Sequence, residues 1–369
     1  MHCRLFHYRA MAFALPVWFA VQHELIESGG ADGASPGCFD DFDDEALFTT
    51  FHLTRPCITF IADNIRLRLK RETTKAPVDA MVMVTLNYYA QGVSSVSVQE
   101  KAGINQSDCA EIINTVSKVM ATMADQFISF PVTRDARANV AHKIEKFCGI
   151  PRVLGVLATA HFKVRASPYE KDAFRSFLNT RGYTSVMSQV MCDCDGNILS
   201  VEKCCTGSTC EQEMWDSSFK GREMEEGMHG QYWVIGGRGY SLSTHILTAV
   251  SNPTNDKEFS FNQAHAKILD VMRTTLGSIK TRFRCLMQLG FAHEASLDKK
   301  ADIIKACCVL HNIAKKFSVP APLMAGKIEP LHPGKQHQAP EVEIKPEALK
   351  ARQDLINIKF SVAVPSSED

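Results

Sequence analysis

The chain has 369 residues, 45% hydrophobic and 22% charged, a balance that excludes an intrinsically disordered protein and leaves room for two modules with real cores. Lys plus Arg equal Asp plus Glu at 41 each, which excludes a global basic field for non-specific binding to nucleic acid or acidic lipid, so any DNA contact has to come from a local patch or a partner. Thirteen cysteines, an odd number without the regular spacing of a small disulfide scaffold, point to a reducing cytosolic or nuclear compartment.

Arg4 and Arg9 precede the apolar run Met11 to Val21, which has the charge and length of a signal-peptide core but is too short to span a bilayer. No small-x-small cleavage site follows, and Gln22 to Glu27 continue the run as an amphipathic helix. Residues 1–38 therefore read as a docking helix and the Gly-rich linker Ser28 to Gly37, with a signal or anchor as the alternative and Met11 as an alternative start. Asp40, Asp41, Asp43, Asp44 and Glu45 load a helix start, where negative charge suits the positive end of the helix dipole.

From Ala46 to about Phe130 the pattern is helical, broken at Arg55-Pro56, Ala76-Pro77, Gly92 and Gly103, so residues 39–148 read as an all-α domain. Val98 to Ile113, with Gly103 at the turn and Ser107 as the expected cap, has the spacing of a helix-turn-helix. Its second helix offers Asp108, Glu111 and Asn114 and no cation before Lys118, poor chemistry for a phosphate-lined groove, which favours a structural helix hairpin over a DNA reader. Arg66, Arg68, Lys70, Arg71 and Lys75 form the clearest basic run, a solvated helix face or, alternatively, a phosphate-contacting patch.

After Pro151 the period turns strand-like. Val153 to Val164 reads as a buried strand, Gly182 to Cys192 and Ile198 to Cys204 as a hairpin turning at Asp193 to Asn197, and Gln231 to Gly236 as a fourth strand. Phe261 to Phe283 and Asp302 to Phe317 read as covering helices, giving a mixed α/β layer fold. Cys192, Cys194, Cys204, Cys205 and Cys210 lack the paired C-x2-C spacing that zinc favours and read as free thiols. Residues 318–369 read as a flexible tail with a short amphipathic helix from Glu347, fit to dock on the body or on a partner.

Several of these residues together carry a resemblance: Gly149-Ile150-Pro151 with Gly155 and His161, Val190 to Asp193 with Gly196, Thr206-Gly207-Ser208, Thr281 to Leu286, and Ala306 to Ile313 with His311-Asn312. From about Phe39 onward the chain resembles the Harbinger transposase-derived nuclease family of the DDE superfamily. The resemblance implies a ribonuclease-H-like domain over 149–317, in which two Asp and one Glu bind divalent Mg2+ or Mn2+ for DNA cleavage. Hard cations of this kind take oxygen ligands, chiefly carboxylates.

Carried over by position, the first family Asp falls on Ala158, the second on Gly237 and the Glu on Arg273, so all three carboxylates are absent. Glu211 keeps a further family acid in kind. Asp193, Glu211 and Asp270 are the acids from which a relocated site could be built, whereas Arg273 puts a cation where a metal would lie and could instead pair with Glu211 or Asp193, with Arg238 in a similar role. His161, His265 and His311 read as hydrogen-bonded core or surface residues rather than catalytic bases. The sequence thus predicts a degenerate member without a bound metal, acting as a DNA-associated or protein-interaction factor. By family analogy it would work with a Myb-like DNA-binding partner in nucleus and cytoplasm, with no membrane association. The alternatives are an active nuclease with the relocated acids and a stand-alone DNA-binding module.

Overall fold

The computed structural model describes residues 38–69, 76–167, 169–292, 297–322 and 344–360. The expected N-terminal docking helix and linker, Lys70, Arg71 and Lys75, and most of the expected flexible tail lie outside the described residues. Helices α1 (Asp44–Phe51), α2 (Arg55–Arg68), α3 (Val78–Gln91), α4 (Val96–Ala102), α5 (Cys109–Thr122), α6 (Ala124–Phe127) and α7 (Arg134–Cys148) come first. Then follow β1 (Val153–Lys163), α8 (Lys171–Phe177), β2 (Ser185–Cys192), β3 (Ile198–Thr206), α9 (Glu211–Ser217), α10 (Phe219–Glu225), β4 (Trp233–Gly236) and β5 (Ile246–Leu247). Helices α11 (Asp256–Arg282), α12 (Leu297–Lys316) and α13 (Pro346–Lys359) complete the order.

The helical breaks sit where the sequence puts them. Pro56 occupies the first turn of α2, where its missing N–H costs nothing, and Pro77 precedes α3. Gly92 and Gly103 close α3 and α4. Asp43 caps α1, its side chain accepting from the Ala46 amide at 2.7 Å. The expected cap at Ser107 is displaced: a turn from Asn105 to Asp108 delays α5 by one residue, so Asp108 stands at the cap position and the Ser107 hydroxyl faces its carboxylate at 3.4 Å.

The sheet order is β3-β2-β1-β4-β5, with β1, β2 and β3 an antiparallel meander and β4 and β5 added in parallel beside β1. This is the mixed sheet expected of a ribonuclease-H-like domain. β1 lies at the centre and is covered on both faces, which is why its sequence is a nearly continuous apolar run rather than an alternation. On one face Leu154, Leu157 and Met191 pack with Trp215 of α9, Met224 of α10 and Phe130. Against the other lies α11, whose Lys280 ammonium sits 5.3 Å from the centre of the Phe162 ring.

Several elements escape sequence reading. β5 is two residues long, too short to show a period, and α8, α9 and α10 each run for seven. α11 begins five residues before the expected Phe261 because Asn255 caps it, accepting from the Glu258 amide, and its first turn is polar. Helix α12 begins at Leu297 rather than Asp302.

The described residues from Asp41 to Phe360 group as one compact unit, and within it the helical and sheet regions share a helix: α12 packs on α5 and on β3. A second tie joins α1 to the end of α11. The His52 ring Nδ1–H donates to the Arg282 carbonyl at 2.7 Å, and Arg282 Nη1 donates back to the His52 carbonyl at 2.5 Å. The C-terminal helix α13 folds back on the body, burying Leu355 and Ile356, with Arg352 donating to the Ala249 carbonyl and Lys359 pairing with Glu145 at 2.7 Å. The described cysteines are free thiols, and no described helix is long and apolar enough to cross a membrane.

Candidate functional site

The positions that the resemblance assigns to the metal ligands come from three elements. Ala158 lies in mid-β1, opposite Val190 of β2, and is 5% exposed. Leu157 pairs with Gly236 at the end of β4, so Gly237 leaves the sheet beside Ala158. Ala158 shares the β1 face of Phe162, against which α11 packs with Arg273 on its flank. At the three positions that the resemblance assigns to the ligands, the donor set is a methyl group, a glycine and a guanidinium. Those residues do not fit a pair of divalent cations, which require oxygen ligands.

Arg273 takes a different partner from the ones its sequence position suggested. Its Nε and Nη2 both reach Asp270 Oδ1, at 2.7 and 2.6 Å, because a residue one turn back on the same helix is the nearest carboxylate. It pairs with neither Glu211 nor Asp193. Arg238 is exposed on the turn after β4.

The three acids considered for a relocated site are not brought together. Among the described residues no three His, Cys, Asp or Glu side chains group as a metal site. Asp193 holds the β2–β3 turn: Oδ1 accepts from the Asp195 and Asn197 amides at 2.9 and 2.8 Å, and Oδ2 from Asn197 Nδ2 at 2.8 Å. Gly196 in that turn has φ 77°, the conformation its sequence predicted, and a Cβ there would also meet Thr275 Oγ1 at 2.6 Å. Asp270 serves Arg273. Glu211 opens α9, the helix whose Trp215 packs on the sheet face opposite α11.

Glu211 nevertheless has unusual surroundings. It is 8% exposed, and its carboxyl group fills the space beside Gly239, where an added Cβ would lie 1.6 Å from Oε2. Burial pushes this carboxyl up to about 7, against the opposing pull of the Arg181 charge. Close by, the Tyr240 hydroxyl bonds Thr159 Oγ1 and accepts from Gln189 Nε2, both at 2.9 Å, while Gln189 reaches the Glu211 carbonyl at 3.4 Å. This polar group in the sheet interior was missed from sequence. Thr159 and Gln189, polar residues inside otherwise apolar strands, were the available signal.

The residues that carry the resemblance at the C-terminal end do structural work. His311, held down to about 4 chiefly by burial and hence neutral, donates Nε2–H to the Gly196 carbonyl at 3.0 Å. Asn312 accepts from the Ile198 amide at 2.9 Å and donates to the carbonyls of Ile198 and Phe127 at 2.8 and 2.7 Å. His161 meets Ser185 Oγ at 3.0 Å, and His265 donates to the Leu247 carbonyl at 3.2 Å. Phe283 packs edge-on against Tyr89.

The described part of the basic run is committed to the fold. Arg66 bridges Asp63 and Asp79 at 2.5 and 2.6 Å, and Arg68 donates to the Asn64 carbonyl and to Gln126 Oε1. In the helix hairpin, α5 buries Ile112, Ile113, Val116 and Met120 and leaves Glu111 and Lys118 outside.

Comparison with known proteins agrees with this architecture. The family model described as DDE superfamily endonuclease matches residues 157–312, from mid-β1 to Asn312 of α12. The protein described as "Putative nuclease HARBI1" from Xenopus laevis is 31% identical over 329 residues, covering 87% of this chain and 92% of the relative. Its namesakes from Rattus norvegicus and Homo sapiens are 29% and 28% identical over 327 residues, with the same coverage. No solved structure matches the chain. With the likeness covering 87% of the chain, through both the helical region and the sheet, the chain belongs to the Harbinger transposase-derived nuclease family.

Proposed function

We propose that this family member has lost DNA cleavage and serves as a DNA-associated or protein-interaction factor. The observation that carries the reading is the donor set at the three ligand positions: Ala158, Gly237 and an Arg273 held by Asp270 at 2.6 Å. An in-line phosphoryl displacement run by two metal ions needs carboxylates to gather about four positive charges at one point. A guanidinium on the flank of that point adds to the charge instead of balancing it. Fold does not carry activity; the site does.

Delegation of DNA binding to a separate Myb-like partner suits a chain of zero formal net charge whose Arg66 and Arg68 are engaged internally. Residence in both nucleus and cytoplasm belongs to the same reading.

The test is calorimetric titration of Mg2+ and Mn2+ into the full chain, paired with plasmid nicking. An Ala158→Asp, Gly237→Asp, Arg273→Glu variant serves as the control. The expected outcome is neither binding nor nicking by the parent and Mn2+ binding gained by the triple variant. Metal-dependent nicking by the parent would refute the loss of activity. Tight, salt-sensitive duplex binding by the chain alone would refute delegation to a partner.

A further inference from the structure

Helix α13 sits in a groove that the rest of the chain builds without it. The floor is the start of α11, one wall is the end of α7, and the other is the segment after β5. Both walls are tied to α11 by bonds that do not involve α13. The Asn262 side chain of α11 accepts from the Val250 amide at 2.8 Å and donates to the Val250 carbonyl at 2.9 Å. His265 donates to the Leu247 carbonyl at 3.2 Å, and Lys267 to the Phe147 carbonyl of α7 at 2.7 Å. A groove fixed in this way keeps its shape when the helix leaves.

The helix occupies it as an amphipathic helix occupies a partner's groove. Ala348, Arg352, Leu355, Ile356 and Lys359 recur at the three- and four-residue spacing of one helix face. Of these, Ala348, Leu355 and Ile356 are buried, Arg352 donates to the Thr248 and Ala249 carbonyls at 3.2 and 3.0 Å, and Lys359 pairs with Glu145 at 2.7 Å. Just past the helix the Phe360 ring meets Phe261 edge-on, with ring centres 5.7 Å apart. The groove thus answers the two cations with two carbonyls and a carboxylate, an acceptor set that suits a basic helix and repels an acidic one. The hold is small. α13 buries three of its fourteen residues, and at that length an isolated helix is marginal in water. Leu349 and Ile358 are 43% and 73% exposed. Residues 323–343 join α12 to α13, a stretch that reaches at most about 70 Å, so the helix can leave its seat and stay attached.

We propose that this groove is a docking site for a basic amphipathic helix of a partner protein, and that α13 is the resident competitor which such a helix displaces. The partner's helix carries two adjacent apolar residues at the centre of its inner face with a cation one turn to either side, the pattern of Arg352, Leu355, Ile356 and Lys359. A second copy of this chain is the poorer occupant, because its α13 has to displace an identical helix held at a local concentration on the order of millimolar. The inference gives a surface to the protein-interaction reading above and rests on it, whether or not DNA is cleaved.

The probe is a fluorescein-labelled peptide of residues 344–360, titrated into the full chain and followed by anisotropy. A Leu355→Asp, Ile356→Asp variant of the full chain, whose own helix no longer fits, should bind the peptide saturably and still unfold cooperatively in urea. The parent should bind it at least tenfold more weakly, since its groove is filled. A peptide with Arg352→Glu should lose at least tenfold in affinity for the variant. In the parent, hydrogen exchange read by mass spectrometry should find the α13 amides exchanging at least tenfold faster than those in the buried middle of α11. A variant that no longer unfolds cooperatively, or α13 amides that exchange in step with α11, would make the helix an integral part of the core and overturn the proposal. So would a folded variant that binds no peptide, a parent that binds it as tightly as the variant, or binding that survives the Arg352→Glu change. Plasmid nicking by the parent would refute the loss of cleavage and leave all these readings unchanged.

Discussion

Replacing Glu211 by Gln should make the protein more stable above neutral pH, although it deletes a charge next to Arg181. The carboxyl is 8% exposed, and burial raises it from 4.5 to about 7. Between those two values the unfolded chain gives up the proton while the folded chain keeps it. The unfolded state therefore binds fewer protons there, and stability falls as pH rises through the window. Above about pH 7 the loss is complete. A rise from 4.5 to about 7 corresponds to about 3 kcal/mol against the ionised form, the attraction of Arg181 included. Gln keeps the shape and cannot ionise. Urea unfolding followed by tryptophan fluorescence, with Trp215 on the same helix as reporter, should find parent and variant within about 1 kcal/mol at pH 4 and the variant ahead by about 3 kcal/mol at pH 8. A stability difference that does not change between pH 4 and pH 8 would refute the reasoning, because it would mean that the carboxyl ionises alike in both states.

Gly239→Ala should destabilise the chain by more than about 2 kcal/mol, since its Cβ would lie 1.6 Å from Glu211 Oε2. In a Glu211→Ala background the same change should cost at least about 1 kcal/mol less, a coupling read from a double-mutant cycle. Asn312→Ala removes three hydrogen bonds and leaves partners in β3 and at Phe127 unpaired, so the urea midpoint should fall by the equivalent of about 3 kcal/mol. Arg273→Ala breaks an ion pair whose side chains are 37% and 56% exposed, and melting experiments should detect a loss of less than about 1 kcal/mol.

The sequence made the helical breaks legible because proline and glycine act locally: Pro56, Pro77, Gly92 and Gly103 each end or begin a helix through their own backbone. The hairpin at Asp193 to Asn197 was legible for the same reason. A two-residue β5, by contrast, exists only because β4 offers it a partner edge, and no local pattern announces it. At the site, the positions could be named from sequence, but the directions of their side chains could not. Arg273 turned to the acid one helical turn back, and Asp193 was consumed by its own turn. His311 and Asn312, conspicuous in the resemblance, spend their hydrogen bonds on backbone groups far away in the chain, which periodicity cannot reveal.

Those distant bonds bear on how the chain is made. The β2–β3 turn and the start of β3 are completed by His311 and Asn312, which lie 115 and 114 residues further on. During synthesis the hairpin leaves the ribosome well before α12 exists. At cellular elongation rates the interval is on the order of ten seconds, long compared with the microseconds in which a hairpin forms. For that time one face of β3 and the apolar side of α5, both covered by α12 in the finished protein, stand open. The nascent chain is thus a natural chaperone client, and truncation before Leu297 should yield aggregation rather than a smaller folded domain.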